Sequence, residues 1–398
     1  MTDNIIQNMN LKNQRVLLRL DLNVPIENDL VIDDFRVRAS VPTIQHCLDE
    51  GASVVIMTHL GRPNGKRVKS LSALPVGETL ADILEKPIKF SDDCVSEDAV
   101  DVSKYLMPGE IHLMENLRFH KGETENDAEF CRLLSMHGTV FINDAFGMAH
   151  REHASNVGVT KFFQEKGLGF LIQREVKYLS SILNKPKRPL TIVFGGAKID
   201  TKLSLIKRFI KEADDIIIGG GMAFTFLKAM GKPVGNSLVQ DELLETAKTI
   251  ISKVEEESTQ IHFPEDFIVS HDISGNEILG GKRIDDMDSD DIGVDIGSRS
   301  VVYFSRIIDN SATVIWNGPM GIFENINCRK GTIGIARSIA KLKDKDGISV
   351  IGGGDTAAAI KMADFEDKMT HVSTGGGASL GLLSGKQLPA ISAIIGGI

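Results

Sequence analysis

Four cysteines, one tryptophan and three tyrosines are all that 398 residues contain of these types. Cys47, Cys94, Cys131 and Cys328 lie far apart and no CxxC occurs. That suggests neither a disulfide framework nor a zinc site and points to buried free thiols in a reducing compartment. No apolar run reaches the roughly 18 residues of a membrane span, and MTDNIIQNMN lacks the basic and apolar segments of a signal peptide. The expectation is a cytoplasmic protein. Positive charge is short as well: 45 Lys and Arg stand against 54 Asp and Glu, a net charge of −9. A duplex binder needs a basic surface, so general nucleic-acid binding is excluded. The usual nucleotide fingerprints are also missing. GRPNGKR (61–67) is one residue short of a P-loop and has Arg where Ser or Thr should follow. GxGxxA occurs at Gly352, Gly354 and Ala357, but no acidic residue about 20 positions later closes a following strand, as a dinucleotide site would need.

Glycine, by contrast, is abundant at 38 residues, with 42% hydrophobic and 25% charged content. Short β-branched runs alternate with longer amphipathic stretches. RVLLRL (from Arg15), ASVVIMT (Ala52), EIHLME (Glu110) and TVFIND (Thr139) read as strands in the first half. LTIVFGG (Leu190), DDIIIGG (Asp214), ATVIWNG (Ala312), GISVIGGG (Gly347) and THVSTGGG (Thr370) do so in the second. Helical patterns separate them, which predicts α/β architecture with parallel sheets built from βαβ units. The length suggests two or three domains. Between the halves, Leu171, Ile172, Val176, Leu179, Ile182 and Leu183 form one helical face that Pro186 and Pro189 end. No fixed-period repeat is present.

The two halves carry different chemistry at their strand ends. In the first, Arg19, Arg36, Arg62, Arg118 and Arg151 each fall where a strand runs out into a loop. Ligands of open α/β sheets bind outside the carboxyl ends of strands, and arginine grips carboxylate or phosphate in a two-pronged fork. Such a rim on an acidic chain suits a small, highly charged anion. In the second half the strand ends are glycine clusters: GGAK (195–198), GGGM (219–222), NGPMG (317–321), GGGDT (352–356) and TGGGAS (374–379). Glycine admits close approach of a ligand to backbone N–H groups, and a following helix adds its positive end. Five in succession predict a phosphate- or nucleotide-binding edge. Lys198 and Lys202 flank the first cluster, either as solvated surface lysines or as cations for a transferring phosphoryl group. Asp355 fits a helix N-cap and a Mg²⁺ contact equally well.

Taken in order, RLDLNVP (19–25), THLGRP (58–63), ENLRFHKGE (115–123), NDAFGMAHREHAS (143–155), GGAKIDTK (195–202), GNSL (235–238), WNGPMGIFE (316–324), GGGDTAAA (352–359) and STGGGAS (373–379) resemble the phosphoglycerate kinase family over essentially the whole chain. The resemblance implies two doubly wound, Rossmann-like domains joined by a helix and hinge, with a deep interdomain cleft. A phosphoglycerate-binding domain would span 1–170, the joining helix 171–184 and a nucleotide-binding domain 185–384. The tail 385–398 would return to the first domain. It implies reversible phosphoryl transfer from 1,3-bisphosphoglycerate to ADP, giving 3-phosphoglycerate and ATP, with Mg²⁺, in a monomer. By the same likeness Arg19, Asp21, Asn23, Arg36, His59, Arg62, Arg118 and Arg151 form the phosphoglycerate site. Arg36 is the one expected to reach the transferring group, and Arg38 is its competitor if the register slips. The nucleotide side takes Gly195, Ala197, Lys198, Lys202, Gly219, Asn317, Glu324, Gly352, Gly353, Asp355 and Thr356. Glu324 is expected at the ribose, Asp355 at Mg²⁺, and Lys198 and Lys202 at the reacting phosphate. Gly353, Gly375 and Gly376 would offer backbone N–H groups to the transition state.

Three segments depart from the family pattern: Glu265 before Asp266, Ser298–Arg299 in place of proline–lysine, and Ser384 before Gly385–Lys386. Two other classes fit parts of the chain. A two-domain dehydrogenase would respond to NADH and not to ADP, and a non-catalytic anion binder would tolerate loss of Lys198.

Overall fold

The β-branched runs form the centres of two parallel sheets because each is apolar over most of its length and so can be buried on both faces, as parallel strands packed between helices must be. A computed structural model describes residues 4–396 in two compact units. The first comprises the described residues up to Lys177 and those from Gly385 onward; the second spans Tyr178–Ser384.

In the first unit the strand order is Ile88–Ser91, Ile111–Met114, Ser53–Met57, Arg15–Arg19, Val140–Asn143, Lys166–Leu168. All pairings are parallel. The chain goes from Arg15–Arg19 to Ser53–Met57 on one side and later returns to Val140–Asn143 on the other. The order therefore reverses beside Arg15–Arg19, and that switch point is where an open α/β sheet receives its ligand. Val16, Leu18, Val54, Ile56, Leu113 and Ile142 are buried with helix residues Val37, Ile44 and Leu80 in one core. From the tail helix Pro389–Ile395, Ala390, Ile391 and Ile394 are buried, and Ala390 N–H donates to Ala149 O at 3.1 Å.

The second unit repeats the scheme: Gln260–His262, Asp215–Ile218, Leu190–Phe194, Thr313–Asn317, Ile348–Gly352, His371–Val372, again all parallel. Its reversal lies between Leu190–Phe194 and Thr313–Asn317. A three-stranded antiparallel sheet, Ile278–Arg283, Asp266–Ser270, Ile292–Ile296, accompanies it. The helix Phe170–Asn184 ends two residues before Pro186, as its apolar face predicts.

The edge strands Ile88–Ser91, Lys166–Leu168 and Gln260–His262 and the antiparallel sheet lie outside the sequence reading. Ile88–Ser91, Gln260–His262 and Ile278–Arg283 are mostly half-buried or exposed and Lys166–Leu168 is three residues long, so the long apolar run of a central strand is absent there. Asp266–Ser270 and Ile292–Ile296 are largely buried but carry no such run either. Among the described residues no helix is long and apolar enough to cross a membrane.

Candidate functional site

At the switch point of the first sheet, Arg19 ends its strand completely buried. Its Nε donates to Ser155 Oγ at 2.7 Å, and Nη1 donates to the Leu20 carbonyl. Nη2 stands 3.2 Å from His59 Nδ1 and 4.0 Å from Glu123 Oε1. Burial lowers the Arg19 pKa, and the carboxylates of Glu123 and Asp21 oppose the shift. Arg19 thus lies beneath the rim rather than on it. Because guanidinium only donates, His59 Nδ1 must accept, which puts the imidazole proton on Nε2. Burial, then Arg19, Arg118 and Arg36, hold His59 well below the ordinary histidine range. It is a neutral hydrogen-bonding group.

The loops above are tied to one another by backbone and amide bonds. Asn23 Oδ1 accepts from Gly61 N–H at 2.8 Å, and Thr58 Oγ1 accepts from Leu22 N–H at 3.1 Å. Arg36, in the first turn of the helix Phe35–Asp49, donates from Nη1 to Asn23 O at 3.1 Å and meets Asp21 Oδ2 at 3.3 Å. Arg38 turns outward and pairs with Asp34 at 2.8 Å. The geometry therefore gathers Arg36 and leaves its competitor out. Arg118 donates to Gly61 O at 2.7 Å while its buried Nε has no partner. Burial, reinforced by Arg19 and Arg151 and opposed by Glu123 and Asp21, brings it down to about 10. The side chains of Arg62 and Arg151 are exposed and make no hydrogen bond or ion pair among the described residues.

Sequence reasoning passed over four residues here. Glu123 is fully buried and accepts from both Ser155 Oγ (2.7 Å) and Ser155 N–H (3.0 Å). It is the counter-charge beneath the rim. His153 Nδ1 lies 3.7 Å from it. His150 and His153 each keep a buried Nδ1 without a hydrogen-bond partner. All four lie inside ENLRFHKGE or NDAFGMAHREHAS, so the signal was in the motifs rather than in any charge pattern.

The second unit has a cavity of ≈ 320 Å³ at its strand ends. Phe224, Leu238, Phe267, Ile273, Val294, Met320 and Phe323 make its apolar wall, and Gly196, Ala197, Gly220 and Gly221 its backbone floor. Its ionisable lining groups are Asp295, Glu324 and Asp355. Asp295 accepts from Gly331 N–H (2.7 Å) and Ile296 N–H (2.9 Å), and burial raises it to about 7. Of the expected nucleotide residues, Ala197, Glu324 and Asp355 line this cavity. Lys202 is buried in the turn Asp200–Lys202, and its Nζ is 3.6 Å from where a Cβ on Gly196 would stand. Burial lowers its pKa, with Asp355 and Asp200 pulling the other way. Lys198 is exposed and its ammonium is unpaired among the described residues.

Other expected residues serve the frame of this edge. Gly195 N–H donates to Asn317 O (2.9 Å) and Gly196 N–H to Pro319 O (2.7 Å). A Cβ on Gly195 would collide with the carbonyl oxygens of Gly318 and Pro319, and one on Gly219 with Met320 Sδ. These two glycines are required by loops crowding each other at the switch point. Asn317 Nδ2 donates to Gly352 O, and Thr356 Oγ1 accepts from Gly318 N–H, both at 2.7 Å. Gly353 (φ +95°) and Gly376 (φ +43°) precede the helices Gly354–Met362 and Gly377–Leu383. The Gly375 N–H is already donated to Ser373 Oγ at 3.1 Å. Asp355 makes no capping bond to its helix. Glu265, Ser298 and Arg299 line a separate shallow depression.

Known proteins resemble the chain over nearly its whole length. The sequence model of the phosphoglycerate kinase family matches residues 6–386. A phosphoglycerate kinase of Finegoldia magna is 43% identical over 396 residues, covering 99% of both chains. One of Chloroherpeton thalassium is 42% identical over 389 residues, covering 98% of both. The solved phosphoglycerate kinase of Coxiella burnetii superposes with a TM-score of 0.85 at 38% identity, over 98% of each chain. That of Pyrococcus horikoshii gives 0.85 at 29% identity, again over 98% of each.

Proposed function

The chain belongs to the phosphoglycerate kinase family, and from that membership we propose how its residues divide the work. It is a phosphotransferase with a carboxyl acceptor, moving a phosphoryl group between 1,3-bisphosphoglycerate and ADP. In the ATP-consuming direction the nucleophile is the carboxylate of 3-phosphoglycerate, already ionised at neutral pH. No general base is needed, so catalysis reduces to alignment and to neutralising charge spread over the phosphoryl oxygens.

The arginine cluster in the first unit would bind the phosphoglycerate. Arg62, Arg118 and Arg151 present its cations, His59 offers Nε2–H to a carboxylate or hydroxyl oxygen, and Asp21 and Asn23 set the loop. Arg19 acts from beneath, fixing His59 and balancing Glu123. Arg36 is the group for the transferring phosphoryl, supported by its placement on Asp21 and Asn23 at the mouth of the rim. The nucleotide would lie in the ≈ 320 Å³ cavity, its base against the apolar wall, its ribose at Glu324 and its phosphates towards Lys198, Lys202 and the N–H groups of Gly353 and Gly376. Asp355 suits a divalent cation, being an exposed carboxylate beside this cavity that makes no side-chain hydrogen bond among the described residues, and oxygen is the donor Mg²⁺ selects. When bound, the ion would neutralise phosphate charge. Because transfer needs reacting atoms about 3 Å apart in line, closure of the units about the segment joining them completes the proposal.

One observation carries this reading: an arginine cluster with its own buried counter-charge, at the switch point of a sheet on an acidic chain. Its test is ATP consumption with 3-phosphoglycerate and Mg²⁺, comparing wild type with Arg36→Ala and Lys198→Ala. If each cation supplies several kcal/mol to the transition state, kcat falls by at least about a hundredfold in both. Unchanged turnover in either variant removes that residue from the mechanism.

A further inference from the structure

We propose that Asp93, Cys94 and His120 form a binding site for one borderline divalent cation of the zinc class, separate from the Mg²⁺–nucleotide chemistry. Two chain segments build it. Asp93 and Cys94 lie in the loop between the strand Ile88–Ser91 and the helix Glu97–Lys104, and His120 joins the turn Leu117–Phe119 to the helix Lys121–Glu125. One donor atom from each residue lies within 4.8 Å of the other two.

The donors are already oriented. Asp93 Oδ1 accepts from the N–H groups of Cys94 (2.5 Å) and Val95 (2.9 Å), which leaves Oδ2 without a partner. His120 Nε2 is 3.2 Å from Asp93 Oδ1, and its ring packs against Phe130 at a centroid distance of 5.4 Å. Cys94 Sγ, buried at the base, makes no hydrogen bond among the described residues. Asp93 and His120 are each about one-third exposed, at 34% and 32% of their side chains, beside the buried Cys94. A fourth position is left for water, which completes a tetrahedral set.

The chemistry selects the ion. One sulphur, one imidazole nitrogen and one carboxylate oxygen suit Zn²⁺ and Co²⁺, whereas Mg²⁺ prefers oxygen donors throughout. A bound cation would take the Cys94 sulphur as thiolate and expel its proton. Binding converts Cys94 S–H and M²⁺ into an S–M bond and releases one proton to solvent. The proton on His120 Nε2 moves to Nδ1, which has no partner among the described residues, so the imidazole stays neutral. The other cluster of potential ligands, His271, Asp290 and Asp291, has no sulphur. In it, both Asp291 oxygens already face Lys282 Nζ at 3.0 and 2.7 Å.

The test uses the full chain, freed of metal and titrated with Zn²⁺ and with Co²⁺ in excess Mg²⁺. Expected are one Zn²⁺ per chain, one proton released per ion, no competition from Mg²⁺, and a thiolate-to-cobalt charge-transfer band. Cys94→Ser should abolish that band, and His120→Gln, at a partly exposed position, should weaken Zn²⁺ binding at least about tenfold. Asp290→Asn should change neither. Failure of the folded wild type to bind Zn²⁺ at millimolar concentration overturns the proposal. So does a cobalt complex without the thiolate band, or binding unaffected by His120→Gln.

Discussion

Arg19 and Glu123 show how a cationic site is made tolerable on an acidic protein. Both are fully buried, 4.0 Å apart, with Ser155 bonded to each. Removing one charge of a buried pair leaves the other uncompensated, which costs more than the pair contributes. Glu123→Gln is therefore expected to destabilise the protein by roughly 3 kcal/mol or more, read as a lower midpoint in guanidinium unfolding. A change below about 0.5 kcal/mol, the range of ordinary surface substitutions, would mean that Arg19 finds its compensation elsewhere. Arg19 was legible because it closes a strand, and Arg62, Arg118 and Arg151 because they lie in loops or turns that follow one, whereas Arg36 opens the helix Phe35–Asp49. Glu123 was not, since an acidic residue in a loop looks like solvent-facing charge until the fold buries it. The choice between Arg36 and Arg38 needed side-chain geometry, because both sit in one helical turn and differ only in the face they share with Asp21 or Asp34.

At the scale of elements, central strands were read correctly because burial on both faces demands mostly apolar residues. The short edge strands lack that demand, and in the antiparallel sheet the buried strands Asp266–Ser270 and Ile292–Ile296 are too mixed to leave a run. Glycine clusters were located rightly, but their physical reasons divide. Gly195 and Gly219 answer to neighbouring loops, while Gly353 and Gly376 supply positive φ before helices. Packing of the strand Ile111–Met114 on the helix Glu97–Lys104 hides a different feature. His112 Nδ1 and His137 Nδ1 both bond Ser103 Oγ, at 2.8 and 2.6 Å, and His112 Nε2 bonds Ser91 Oγ at 2.8 Å. Burial first, then the charge of His137, drives His112 down to about 3; burial drives His137 to about 4, the Cys94 backbone partly offsetting it. A histidine whose folded pKa is depressed favours folding above its unfolded value near 6.5 and loses that contribution as pH falls towards the folded value. The upper bound is about 5 kcal/mol for His112 and about 3 kcal/mol for His137. The unfolding free energy should drop steeply between pH 6.5 and about 4 in wild type, and less steeply in His137→Asn. Equal slopes would show that the pair titrates normally.

For the whole molecule, the proposal apportions the chemistry between two units of shared architecture. Each has a six-stranded parallel sheet and a switch point; one is furnished with arginine, the other with glycine and an apolar cavity. The alternation of strand and helix patterns indicated an α/β chain, and the arginines at strand ends a small anion. Only the ordered motifs named the phosphoglycerate kinase family, because a rim of cations fits many anions and a glycine edge many phosphates. The account's central claim is that each unit holds its own substrate. Equilibrium titration of 3-phosphoglycerate and of ATP against Arg62→Ala and Glu324→Ala tests it most directly. Arg62→Ala should weaken 3-phosphoglycerate by about tenfold, the scale of a charge-assisted hydrogen bond, and leave ATP unchanged; Glu324→Ala should do the reverse. Equal weakening of both ligands by either variant, or the crossed pattern, would contradict it.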